Sequence, residues 1–120
     1  MAKKTHYSVV LVTVPQAPLA EKISKGLVEG RLAACVNEIP GVISRYIWDG
    51  QLQTDEEILL VIKTRTGLLP QVTEFVKEAH EAEVPEIIAL PVHAGDKAYL
   101  DWLGANTLFA APLEDDAPGA

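Results

Sequence analysis

Residues 33–65 read AACVNEIPGVISRYIWDGQLQTDEEILLVIKTR, and this stretch decides the fold. It is rich in Val, Ile, Thr, Tyr and Trp, the residue types that favour β-strands. Asp49-Gly50 suits a two-residue type I′ turn, so the sequence predicts a long β-hairpin that folds back at this pair. Pro40-Gly41 interrupts the first strand, where we expect a bulge rather than an end.

The segments on either side of the hairpin alternate between strand and helix patterns. The order predicted is strand, helix, strand, strand, helix, strand, followed by a last helix. This is an α+β, ferredoxin-like βαββαβ sandwich, in which right-handed crossovers place both long helices on one face of the sheet. The flanking elements are a strand over Tyr7 to Val14, a helix on Leu19, Ile23, Leu27 and Val28 ending at Gly30, a helix on Leu69, Val72, Phe75, Val76 and Ala79, a strand over Glu86 to Val92, and a helix capped by Asp96.

The second face of the sheet needs a cover, because the run Ile58 to Ile62 is apolar on both faces. A hairpin strand of about 14 residues also exceeds the typical five or six, so its outer half, with Tyr46 and Trp48, should project beyond the sheet. We expect a partner subunit to cover both, which predicts a homo-oligomer. The alternative is that the last helix folds under the sheet and the hairpin curls on itself.

Composition narrows the range of partners and compartments. The formal net charge of -7 argues against a nucleic acid partner, which would require a basic surface. No stretch approaches the ~20 apolar residues of a membrane helix. Cys35 is the lone cysteine, so no internal disulfide can form and a cytoplasmic setting is expected. Residues 1–109 are predicted to form a single domain, and the acidic, proline-containing residues 110–120 a disordered tail.

Several short motifs, in order along the chain, resemble the CutA family. They are GRLAACVN from Gly30, YIWDG from Tyr46, VPEII from Val84 and YLDW from Tyr99, and the resemblance spans about residues 7 to 107. It implies a homotrimer with interlocking hairpins, similar to the PII signalling proteins. It also implies a role in divalent cation tolerance, with copper binding proposed for some members, and no catalysis.

The resemblance suggests where a metal would bind. In members with assigned ligands, a Cys precedes the first-strand proline and a His pair precedes the fourth strand. Val14 and Ala79 occupy two of these positions here, which leaves His80. Our candidate metal residues are therefore His80, Cys35 and Glu83, for copper or, less favoured, zinc or nickel. The alternatives are a solvated His80 at a helix end and a Cys35 packed in the core.

A second hypothesis is a PII-like sensor that binds a small molecule or anion in the cleft between subunits. The candidate cleft or interface residues are Lys63, Trp48, Tyr46, Arg31 and Glu86, and a partly buried lysine would suit an anion. Lys63 could instead pair with a glutamate such as Glu86 across the interface.

An enzyme on the same fold is a weaker hypothesis. Arg31 and Asn37 are residue types that an acylphosphatase uses to hold a phosphoryl group. The Gly-rich turn of such an enzyme is missing after the first strand, where residues 15–18 read PQAP.

Overall fold

The computed structural model describes residues 5–109, and the predicted order of elements is confirmed. The predicted tail, residues 110–120, lies outside the described residues. A one-turn 3₁₀ helix, Thr66–Leu68, leads from the hairpin into the second helix. The elements are β1 Tyr7–Val14, α1 Ala17–Glu29, β2 Cys35–Trp48, β3 Gln51–Arg65, α2 Leu69–Ala79, β4 Ile87–Pro91 and α3 Lys97–Ala105.

The four strands form one antiparallel sheet in the order β2-β3-β1-β4. β1 lies between β3 and β4, and the β2–β3 hairpin forms the other side of the sheet. This is the arrangement of the ferredoxin-like βαββαβ sandwich, so the predicted fold class is confirmed. The last helix, α3, is an addition at the carboxyl end.

The hairpin has the turn and the bulge that its sequence predicts. Asp49 and Gly50 have φ angles of 51° and 76°, the left-handed values of a type I′ turn, and Trp48 pairs with Gln51 across it. The register shifts between Ile39 and Val42, and Gly41 within that shift has a φ of 77°. The bulge therefore redirects a strand of 14 residues instead of ending it.

The helix face of the sheet carries the core. Alternate residues of β1 and of the inner half of β3 point to this face, and Val10, Val12, Leu60 and Ile62 are at most 1% exposed in the core formed with α1 and α2. The two helices approach each other closely where Gly26 meets Phe75, because a Cβ atom at Gly26 would lie 2.3 Å from the ring carbon Cζ. Apolar stripes on both helices fill the remaining space, as their spacing predicts.

The open face is the opposite side of the sheet, and it is apolar but incompletely covered. Leu11 pairs with Val61 and Ile88 across the strands, so the three side chains lie on one face. Towards its edges, Ile39, Ile88 and Leu90 are 44%, 52% and 51% exposed. The apolar residues of the open face include Val9, Leu11, Ile39, Leu59, Val61, Ile88 and Leu90.

One end of the open face is in contact with α3. Arg65, at the end of β3, donates from Nη2 to the carbonyl oxygen of Gly104 at 2.7 Å and from Nε to Oγ1 of Thr107 at 2.9 Å. The backbone N–H of Leu108 donates to the carbonyl oxygen of Arg31 at 2.9 Å. The last helix therefore contacts the sheet where β1 begins and β3 ends. None of the helices within residues 5–109 is long and apolar enough to span a membrane.

Candidate functional site

A cleft of about 700 Å³ lies between the outer half of the hairpin and the segment that joins α2 to β4. It forms because the hairpin is longer than its neighbour: Val14, the last residue of β1, pairs with Ile58, so the outer half of the hairpin continues beyond β1. Residues 80–86 pass around that end of the sheet. The lining residues are Thr13, Ser44, Arg45, Tyr46, Trp48, Gln53, Glu57, His80, Ala82, Glu83, Val84, Pro85 and Glu86.

The hairpin contributes its part of the lining mainly from one face of its outer half, with Arg45 added from the other face. Ser44, Tyr46 and Trp48 are alternate residues of β2, and Tyr46 stands opposite Gln53. The hydroxyl of Tyr46 donates a hydrogen bond to the carboxylate of Asp55, and this bond, with burial and the charges of Asp55 and Glu57, raises the pKa of Tyr46. The hydrogen bond holds the half-exposed Tyr46 ring against its own hairpin.

His80 forms the opposite wall, at the point where α2 ends. Its backbone N–H closes the helix on the carbonyl oxygen of Val76 at 2.8 Å, and its own backbone is extended. The ring nitrogen Nε2 lies 2.8 Å from the carbonyl oxygen of Thr13, and Nδ1 accepts the N–H of Ala82 at 3.0 Å. Both ring nitrogens are therefore engaged with backbone groups.

The charges in the lining favour a cation over an anion. Glu57, Glu83 and Glu86 contribute carboxylates, and Arg45 contributes the guanidinium among the lining side chains. A concave surface with this excess of negative charge concentrates cations.

The predicted metal residues are only partly brought together. His80 and Glu83 both line the cleft, whereas Cys35 lies at the inner end of the hairpin, opposite Lys63 on β3. Within residues 5–109, no group of three or more His, Cys, Asp and Glu side chains lies close enough to hold a metal ion. The part of one chain that the structure describes therefore does not bring together the imidazole and thiolate ligands that copper prefers.

The predicted cleft residues are also only partly brought together in the cleft. Tyr46, Trp48 and Glu86 line the cleft, and Lys63 and Arg31 do not. Lys63 donates from Nζ to Oδ1 of Asn37 at 2.5 Å, and Arg31 has a φ of 58° at the turn before β2. The cationic side chains that favoured an anion site therefore lie elsewhere.

Sequence reasoning missed Thr13, Arg45 and Glu57 in the lining. A signal for Glu57 was present, because the Asp49-Gly50 turn fixes the hairpin register and alternation relates Glu57 to the face that carries Tyr46 and Trp48. No sequence signal identifies Thr13, which contributes its backbone carbonyl to the ring of His80.

Comparison with known proteins gives one consistent family. A family model described as CutA1 divalent ion tolerance protein matches residues 8–106. The divalent-cation tolerance protein CutA of Thermus thermophilus is 52% identical over 99 residues, which are 82% of this chain and 96% of that protein. The chloroplastic protein CutA 1 of Oryza sativa is 50% identical over 82% of this chain, which spans 56% of that longer protein.

Solved structures agree with this result. The divalent cation tolerance protein from Thermus thermophilus has a TM-score of 0.82 at 51% identity, over 84% of this chain and 98% of that one. A structure described as the periplasmic divalent cation tolerance protein CutA of Archaeoglobus fulgidus has a TM-score of 0.81 at 35% identity, over 83% of this chain and 97% of that one.

Proposed function

This chain belongs to the CutA1 divalent ion tolerance protein family, and from that premise we propose that it works as a homotrimer that binds divalent cations without catalysing a reaction. The observation that carries the proposal is the cleft, whose lining includes Glu57 of the hairpin and Glu83 and Glu86 of the segment that joins α2 to β4. An acidic cleft raises the local concentration of cations, which supports binding of the divalent cations that the family description names.

The homotrimer is supported by the open face. Ile88 and Leu90 are half-exposed there, and at the hairpin tip Ile47 and Leu52 are 66% and 67% exposed. Apolar surfaces of this extent usually mark protein interfaces. Cyclic symmetry would let each subunit cover the open face of its neighbour and engage its hairpin.

A shared site follows from the ligand count. Within residues 5–109 of one chain, the cleft carboxylates do not form a complete metal group. In a trimer, Glu83 and Glu86 of one subunit would be joined by ligands of the next. Carboxylates favour harder cations than copper, the cation that the resemblance names, so we propose a site built mainly of oxygen ligands.

Equilibrium titration of the purified oligomer with Mn²⁺, Zn²⁺, Ni²⁺ and Cu²⁺ tests this function. We expect at least one cation to bind more tightly than about millimolar, which corresponds to about 4 kcal/mol. The double variant Glu83→Gln, Glu86→Gln should weaken that binding at least tenfold. Glu74→Gln, on the exposed side of α2, is the matched control and should leave it unchanged. Absence of binding below millimolar, or equal binding by both variants, would contradict the proposal.

A small-molecule sensor is the second candidate function, because a cleft of about 700 Å³ has the size of a ligand site. Tyr46 and Trp48 would provide aromatic surface in it. A thermal-shift screen of nucleotides, carboxylates and amines tests this candidate. A ligand present at a hundred times its Kd should stabilise the protein by about 2.7 kcal/mol. If no compound shifts the melting temperature, the sensor hypothesis is wrong.

A cytoplasmic location is also part of the proposal. Its support is the lone Cys35, which requires no oxidising compartment. The names of the rice and Archaeoglobus relatives place those proteins in the chloroplast and the periplasm. Fractionation of cells that express the full-length protein would decide between these locations.

A further inference from the structure

The segment 80–86 is fastened to β1 at both of its ends. At one end, the ring of His80 contacts the carbonyl oxygen of Thr13. At the other end, Ile87 enters β4 opposite Val12. Two neighbouring residues of β1 therefore hold the start and the end of the segment that carries Glu83 and Glu86.

The hydrogen bonds of His80 define its tautomer. A backbone N–H can only donate, so the contact with Ala82 makes Nδ1 an acceptor. A carbonyl oxygen can only accept, so the contact with Thr13 makes Nε2 the protonated nitrogen. The ring is thus the neutral Nε2–H form, and the lone pair on Nδ1 is already used.

This arrangement leaves no nitrogen lone pair of His80 for a metal. A metal ion bound by histidine replaces a proton or a hydrogen-bond donor at one ring nitrogen. Binding at Nε2 would break the bond to Thr13, and binding at Nδ1 would break the bond to Ala82. Either change would release the start of the segment from β1 or alter its first turn.

We propose that His80 is a positioning residue: its neutral ring fastens the 80–86 segment to β1, sets the wall of the cleft, and is not a ligand of the cation. The inference rests on the proposed function in one respect: if a divalent cation binds in the cleft, His80 is not one of its ligands. The fastening itself holds whether or not a cation binds, because it depends on backbone groups of Thr13 and Ala82.

NMR tests the tautomer directly. In a long-range proton–nitrogen correlation spectrum of the oligomer at neutral pH, His80 should appear as the Nε2–H form with Nδ1 unprotonated. Variants that remove His6 or His93, the other two histidines, assign its signals. The opposite tautomer, or rapid averaging between the two forms, would overturn the proposal.

Matched substitutions separate the two hydrogen bonds. His80→Asn keeps an acceptor near the position of Nδ1, and His80→Gln keeps a donor near the position of Nε2. Hydrogen exchange at the Ala82 amide should accelerate about tenfold in His80→Gln and His80→Ala and stay slow in His80→Asn. His93→Ala, in the exposed loop before α3, is the control. Equal exchange in all variants would show that Nδ1 of His80 does not accept the Ala82 N–H, which would overturn the assigned tautomer.

A titration with diamagnetic Zn²⁺ distinguishes this inference from the proposed function. If zinc binds while the His80 ring signals keep the Nε2–H pattern, both proposals stand. If zinc does not bind, the function fails for that cation, and the tautomer and exchange results still decide the fastening role. Saturable loss of the Nε2–H signal together with zinc binding would identify His80 as a ligand and overturn the inference.

Discussion

The two faces of the sheet are built by the same strands and have different surroundings. On the helix face, Leu60 and Ile62 are fully buried beneath α1 and α2. On the open face, Ile88 and Leu90 are half-exposed, and α3 contacts the end near Arg65. Neighbouring residues of one strand are thus similarly hydrophobic, but those on the helix face are buried by helices and those on the open face are partly exposed. A strand that is apolar on both faces indicates a second layer, and the described residues provide only part of that layer.

The helix face determines the fold, whereas the proposed function depends on the open face and the acidic cleft. The helix face is complete within one chain, which is why the fold follows from local patterns and one core. The open face and the acidic cleft each lack something that a second subunit could provide, apolar cover in one case and further cation ligands in the other. Experiments that disturb one face and leave the other intact can therefore separate folding from assembly.

The largest effect is expected from a charge on the open face. Ile88→Glu would place an unpaired carboxylate in the proposed subunit interface, at a cost on the order of 4 kcal/mol per subunit. Light scattering should show a trimer for the parent protein and a monomer for the variant. Val28→Glu, at an exposed position of α1, is the control and should remain trimeric. A parent protein that is monomeric at micromolar concentration would refute the assembly itself.

A smaller effect should distinguish the faces within one strand. Leu60 is buried on the helix face, and its neighbour Leu59 points to the open face. Leu60→Ala should lower the free energy of unfolding by about 3 kcal/mol without weakening subunit association. Leu59→Ala should mainly raise the concentration at which the oligomer dissociates. Chemical denaturation and light scattering on dilution measure the two quantities, and equal behaviour of the two variants would contradict the difference between the faces.

Local signals in the sequence account for most of the fold. The Asp49-Gly50 pair predicts the turn, Pro40-Gly41 predicts the bulge, and Asp96 predicts the start of α3, where its carboxylate accepts the N–H of Tyr99 at 3.1 Å. Each signal depends on dihedral preference or capping within a few residues, which sequence alone contains.

The candidate site is less predictable because it depends on register and on backbone atoms. Cys35 and Lys63 lie opposite each other at the inner end of the hairpin, away from the cleft, because the register of the long strands places them there. His80 was predicted as a metal ligand from the family resemblance, because a His pair precedes the fourth strand in members with assigned ligands. Its actual partners are backbone groups of Thr13 and Ala82, and no pattern of side chains reveals them.

The smallest effect concerns α3, the helix that contacts the open face within residues 5–109. Arg65→Met keeps much of the aliphatic stem but removes the donors to Gly104 and Thr107, which should destabilise the docking of α3 by about 1–2 kcal/mol. Hydrogen exchange at Leu108, whose N–H donates to Arg31, should accelerate about tenfold while exchange in β1 stays slow.

Arg65→Lys is the informative control for this prediction. Lysine keeps the positive charge near the carboxyl end of α3 but cannot donate to both oxygens from a planar fork, so it should restore only part of the protection. Full restoration would mean that charge alone docks the helix. Unchanged exchange in Arg65→Met would mean that the apolar contacts of Leu103 hold α3 without the guanidinium, and that this end of the open face is covered in the same way as the helix face.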